Sequence, residues 1–211
     1  MTEFRTPYLT YDVLDKWDTP SWNDQTRAAI KHRLDQVPTR QFLSEEQWSL
    51  LEDIARRLIP QPDREEPVPI VPWIDAMLYA NQTPGFRYAD MPPMQDAWRR
   101  GLDAIAAEAR NRHGMDFHEL SGADQDALLE DVEHNLVESR YWGDLPAGGF
   151  FSHHLLKDVV GIYYSHPSAW SEIGFGGPAS PRGYVRLQPN RHDSWEGEER
   201  DMSLVRAAAA K

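Results

Sequence analysis

The chain of 211 residues contains no cysteine. Disulfides, thiolate nucleophiles, cysteine-ligated zinc and iron–sulfur clusters held by this chain are thereby excluded, while the redox state of its compartment stays open. No apolar run approaches the ~20 residues of a membrane span. Positive charge is scarce: 22 basic residues against 34 acidic ones give a net charge of −12. Such a surface argues against nonspecific binding to nucleic acid or anionic membranes, and the Arg and Lys residues are scattered rather than clustered. Strand signals are equally sparse, with only Tyr184–Leu187 alternating briefly. The opening MTEFRTPYLTYDVLDKWD has neither an apolar signal core nor a twin-arginine pair. A chain without its own export signal, located in the cytoplasm, is expected.

What is present reads as helix. Asn23 or Asp24 caps a helix over 23–36, closed by Pro38. Ser44 and Gln47 form a capping box for a helix over 45–59, where Trp48, Leu51, Ile54, Ala55, Leu58 and Ile59 make an apolar stripe. A proline-rich connector follows, and Pro72 is placed to open a short helix through Trp73, Ile74, Met77 and Leu78. Pro92 or Pro93 opens the next, with Trp98, Leu102, Ile105, Ala106 and Ala109 on one face and Gly114 as its C-terminal cap. Ser121 with Asp124 starts a further helix whose buried stripe is Leu128, Leu129, Val132, Leu136 and Val137. A broad apolar face over 149–164 completes the set. The expected class is all-α: an irregular bundle of five to six helices with an N-terminal arm and a long C-terminal loop and tail. Three segments are expected, an arm with a short helix over 1–40, a helical core over 41–165 and a Gly/Pro/aromatic loop with tail over 166–211.

Motifs for independent chemistry fail on inspection. Asp131 and His134 have the carboxylate-x-x-His spacing of di-iron bundles, but the residues three before His113, His118, His153 and His154 are Arg110, Met115, Phe150 and Phe151, so no second pair exists. His153 and His154 point about 100° apart on a regular helix, so one is expected to pack and the other to face water. GFGGP at 174–178 lacks the Lys-Ser/Thr of a phosphate loop, and Pro178 removes a donor N–H. Neither GxGxxG nor GxSxG occurs. No catalytic, cofactor or metal residue is therefore assigned. The acidic residues at 124, 126, 130, 131 and 133 read as a solvated helix face.

The aromatics outside the helices carry the remaining signal. Trp48, Trp73 and Trp98 fall on apolar faces and are expected in the core. Trp17, Trp22, Trp170, Phe175, Tyr184 and Trp195, with Pro178, lie in the arm, loop and tail, and large apolar side chains there must be buried on something. They are the candidate partner-binding residues.

Three segments resemble the gluconate 2-dehydrogenase subunit 3 family: FLSEEQWSLLEDIARRLIPQPD, VPIVPWIDAML and GIYYSHPSAWSEIGFGGP, within about 41–180. The resemblance implies a small, non-catalytic, cofactor-free subunit that stabilises and helps mature a large GMC-type flavoprotein, which carries the FAD and oxidises a sugar or glucoside. In the last segment the family's Asp-Pro is replaced by His166-Pro167, and the Asn before the Trp is missing. That departure points to a subfamily whose partner is a glucoside 3-dehydrogenase. The resemblance also admits an electron-accepting cytochrome as a further partner, and a periplasmic location if the chain is exported with its flavoprotein. Two other classes stay open: a helical scaffold or regulator of another partner, and a stand-alone enzyme using His153, His154 or His166 as base.

Overall fold

In the computed structural model helices supply the regular structure among the described residues, which are 6–61, 64–86, 88–180, 183 and 193–199. In chain order they are α1 (Asp24–Asp35), α2 (Glu45–Leu58), α3 (Ile70–Tyr79), α4 (Met94–His113), α5 (Gly122–Glu133), α6 (Ser139–Trp142), α7 (Ala147–Phe150), α8 (Leu156–Tyr164) and α9 (Pro167–Glu172). Short 3-10 turns occupy Val13–Lys16 and Phe117–Glu119, and a π-helical turn occupies Phe151–Leu155. The all-α class read from the sequence is the one the chain adopts. The expected alternation at Tyr184–Leu187 lies outside the described residues. Two units form, one over 37–163 and one assembled from both flanks, 1–36 with 164–211. The three segments expected from sequence thus regroup, arm and C-terminal segment sharing one unit.

In the 37–163 unit the capping box of α2 is made as read: Ser44 Oγ accepts from Gln47 N at 3.1 Å, and Gln47 Oε1 accepts from Ser44 N at 3.2 Å. Leu50, Leu51, Ile54 and Ala55 form its buried face, while Trp48 is only half-buried. The chain leading into α2 is held by Asp75 of α3. Its fully buried carboxylate accepts backbone N–H bonds from Gln41 (2.6 Å), Phe42 (3.1 Å) and Leu43 (2.8 Å), which replace the hydration lost on burial. Helix α3 starts two residues before Pro72, so that proline sits inside the first turn, where its missing N–H costs nothing.

Helix α4 opens after Pro93 and ends on Gly114 at φ +70°, the left-handed cap expected. Trp98, Leu102, Ile105 and Ala109 are wholly buried. Gly101 on the same helix is a contact requirement: a Cβ there would meet the Phe150 ring at 2.5 Å. The bare backbone lets Phe150 lie edge-on to Trp98, ring centroids 5.6 Å apart. Buried Glu108 accepts from Arg112 Nε at 3.0 Å and from the backbone N–H of Glu138 at 2.6 Å.

Helix α5 is shorter than its apolar pattern. It stops at Glu133, Asn135 takes φ +58°, and Leu136, expected in the buried stripe, is 64% exposed. The side-chain oxygen of Asn135 instead accepts from Gly148 N at 2.9 Å, tying this turn to the start of α7. The expected helix over 149–164 is present but divided, because the turn at Phe151–Leu155 widens to π geometry between α7 and α8.

In the flanking unit, Val13, Trp22, Ile30 and Trp170 form the core, with Tyr11, Leu14, Trp17 and Leu34 packed against it. Asn23 caps α1, accepting from Thr26 N at 2.9 Å. The two flanks are joined by hydrogen bonds from Val13 N to Ser171 Oγ (3.0 Å) and from Asn23 N to Ser180 O (2.8 Å). Lys16, fully buried, donates to Gly176 O at 2.6 Å and pairs with Glu196 at 3.4 Å, so its ammonium is both hydrogen-bonded and neutralised. Residues 167–172, read as loop, form α9, with His166 as N-cap and Pro167 at the first helical position.

Candidate functional site

The aromatic residues singled out in the sequence divide by burial. Trp22 and Trp170 are covered within the flanking unit's own core. Trp170 also donates its indole N–H to Tyr164 O at 2.7 Å. This corrects the expectation that these two indoles grip a partner: their apolar surface is already spent inside the chain, against residues too distant in sequence for a local pattern to show. Trp17 and Trp195 are half-buried, Trp17 lying edge-on to Trp22. Tyr184 lies outside the described residues. Phe175 and Pro178 are exposed, Phe175 by 42%, and the structure adds Ile173, exposed by 41%.

Local geometry holds these exposed side chains in place. After α9 the chain turns through Gly174 (φ +66°) and Gly177 (φ +67°), a region glycine enters without strain. Gly177 has a second reason, since a Cβ there would lie 2.9 Å from the Trp170 ring. Phe175 N donates to Trp170 O at 2.9 Å, and the two rings meet edge-to-face at 5.8 Å. Buried Trp170 is thus the base on which exposed Phe175 is mounted.

The 37–163 unit has a half-open cavity of about 620 Å³ between the 81–93 connector and the helical run containing His153 and Asp158. Tyr88 stacks flat on His153, centroids 3.7 Å and planes 8° apart. Phe86 meets Tyr88 edge-on at 5.6 Å, and Lys157 Nζ stands 5.3 Å over the Phe86 ring. This ladder ties connector to helix and leaves the inner wall to His154 and Asp158, one helical turn apart on one face. Neither side chain makes a hydrogen bond of ordinary geometry, and His154 Nε2 and Asp158 Oδ2 are buried without a partner.

Burial dominates the electrostatics of both groups. It pushes the Asp158 carboxyl up to about 6, against the opposing pull of Lys157 and of the nearby Trp98 indole. It holds the His154 imidazole down at about 4, with the charges of Lys157 and His153 acting in the same direction. The expectation of one packed and one wetted histidine is therefore replaced by two half-buried rings with different tasks. Sequence reading singled out the histidines but missed Asp158, Phe86 and Tyr88. The signal for Asp158 was its i+4 spacing from His154 on an otherwise apolar helix.

The other polar candidates are engaged elsewhere. Asp131 pairs with Arg112, and His134 Nδ1 lies 2.8 Å from Glu130 O, so the carboxylate-x-x-His pair does not converge. Among the described residues no group of three or more His, Asp or Glu side chains is placed to hold a metal. Asp126 of the acidic helix face forms a two-point ion pair with Arg57, Nε to Oδ1 at 2.8 Å. No described helix is long and apolar enough to cross a membrane.

Helices throughout and exposed apolar side chains on a buttressed turn define a helical protein of the associating kind. The gluconate 2-dehydrogenase subunit 3 family matches residues 45–177, more than half of the chain, and the chain belongs to that family. By that description its members are accessory subunits of a dehydrogenase complex. No curated protein and no solved structure matches the chain.

Proposed function

We propose that the chain is the cofactor-free small subunit of a dehydrogenase whose FAD lies in a large GMC-type flavoprotein, and that the flavoprotein oxidises a sugar or glucoside, at C3 in the subfamily suggested by His166-Pro167. The chain stabilises that partner and helps it mature. The observation that carries the reading is the turn after α9. Ile173, Phe175 and Pro178 are exposed there, yet Phe175 is fixed on Trp170, and a rigid exposed aromatic loses little entropy on being covered. An obligate interface burying ~2,000 Å² or more needs such anchors. Family membership supports the subunit role, and the turn lies at the end of the matched segment.

Co-expression with the flavoprotein, followed by size-exclusion chromatography and a flavin absorbance spectrum, tests it. Wild type should co-elute with a yellow partner. Ile173→Ser combined with Phe175→Ser should release it, while the variant chain keeps its own elution volume and melting temperature. A complex undiminished by the double substitution removes the turn from the interface. A co-eluting partner without flavin absorbance removes the FAD assignment.

A further inference from the structure

The cavity bounded by Phe86, Tyr88, His153, His154, Lys157 and Asp158 is not used by the subunit reading, and the inference drawn from it stands independently of that reading. Its volume of about 620 Å³ falls within the range of small-molecule sites, ~300–1,000 Å³. The π-helical turn that sets His153 and His154 is a geometry often found at functional sites. Two polar side chains in the inner wall, within bonding reach of whatever enters, have no partner of their own. A buried polar group left unpaired is costly, so such a pair is expected to be completed by something absent from the chain.

The unmet valences define what completes them. An ionised carboxylate only accepts, whereas a neutral imidazole offers one donor and one acceptor nitrogen. A hydroxyl is donor and acceptor at once and serves both. A ligand carboxylate would meet Asp158 as a like charge, and an ammonium would stand beside Lys157. Those two are the charged residues among the described lining, and they are of opposite sign, which favours a neutral guest. The remaining wall is apolar, with Phe86, Met77 and Pro92 facing the space and offering surface to C–H groups. We propose that this cavity binds a neutral polyhydroxylated molecule of monosaccharide size, two of its hydroxyls bonding His154 and Asp158.

The test uses the full chain and three probes of matched size: methyl α-D-glucopyranoside, glucosamine and gluconate. Saturation-transfer NMR and calorimetry should show saturable binding of the glycoside, weaker binding of the cationic amino sugar and the weakest binding of the anionic acid. Asp158→Leu and His154→Leu should each weaken glycoside binding about tenfold or more, the loss expected for one buried hydrogen bond. Both variants replace a buried polar group by an apolar one of similar size, so they should melt no lower than wild type, which separates lost binding from lost folding. If one fails to fold, the other decides. Absence of saturation at high-millimolar glycoside, binding indifferent to both substitutions, or a preference for glucosamine or gluconate overturns the proposal.

Discussion

Asp158 and His154 respond to the same burial with opposite signs. The folded state holds the Asp158 proton up to about pH 6, above its ordinary 3.8, so this group's contribution is full below pH 3.8 and is lost as pH rises through 6. His154 titrates at about 4, below its ordinary 6.5, so its contribution is full above pH 6.5 and is lost as pH falls through 4. Each shift corresponds to on the order of 3 kcal/mol. Lys157, His153 and Trp98 are the neighbours that adjust both groups. Between pH 4 and 6.5 the two slopes largely cancel in the wild type. Asp158→Asn removes one of them, and the variant should become more stable with rising pH across that window, by on the order of 3 kcal/mol. Urea unfolding at several pH values measures it, and a variant curve parallel to wild type contradicts the assignment. Neither group's environment could be read from the sequence. The wall that desolvates them includes Tyr88 and Trp98, some 55 to 70 residues away.

At the level of elements, one carboxylate organises two helices. Asp75 of α3 bonds three successive backbone N–H groups ahead of α2. Replacing it with Ala leaves those donors buried or forces the segment open, and stability should fall by about 3 kcal/mol or more, since charge-assisted bonds are the strong ones. Asp75→Asn keeps one acceptor oxygen and should lose less. Chemical denaturation of both variants checks the order, and equal losses would show that shape rather than charge holds the segment. Helix ends were the most legible part of this chain, because caps are local. Ser44 with Gln47, Ser121 with Asp124, and Gly114 each sit where their chemistry demanded. Where the sequence misled, a non-local tie won. Leu136 continues the apolar period of α5, yet Asn135 leaves the helix to bond Gly148, and the period becomes irrelevant. The widened turn at Phe151–Leu155 was invisible for a related reason: a one-residue insertion in a helical register leaves no signature when both sides are apolar.

For the whole molecule, the flanking unit depends on both of its strands of sequence. Trp170 is buried against Val13, Trp22 and Ile30, and Lys16 holds Gly176 and Glu196. Deleting residues 1–36 should therefore expose 164–199 to rapid cleavage in limited proteolysis while leaving 37–163 protected as a resistant fragment. Equal resistance of both parts would show that the C-terminal segment orders itself. This is also why the partner-binding residues were only half legible. Exposed Phe175 and Pro178 could be picked from composition, but an indole such as Trp170 reads the same whether its neighbours are another protein or its own arm. The Lys16–Gly176 tie spans 160 residues. On a ribosome adding ~5–20 residues per second, the arm waits roughly 8–30 s after Lys16 is made before its acceptor is synthesised. Throughout that interval Trp17 and Trp22 have nothing of their own to cover them, so the nascent arm is a natural holding point for a chaperone, and its release is timed by the arrival of the last segment rather than by the folding of the first.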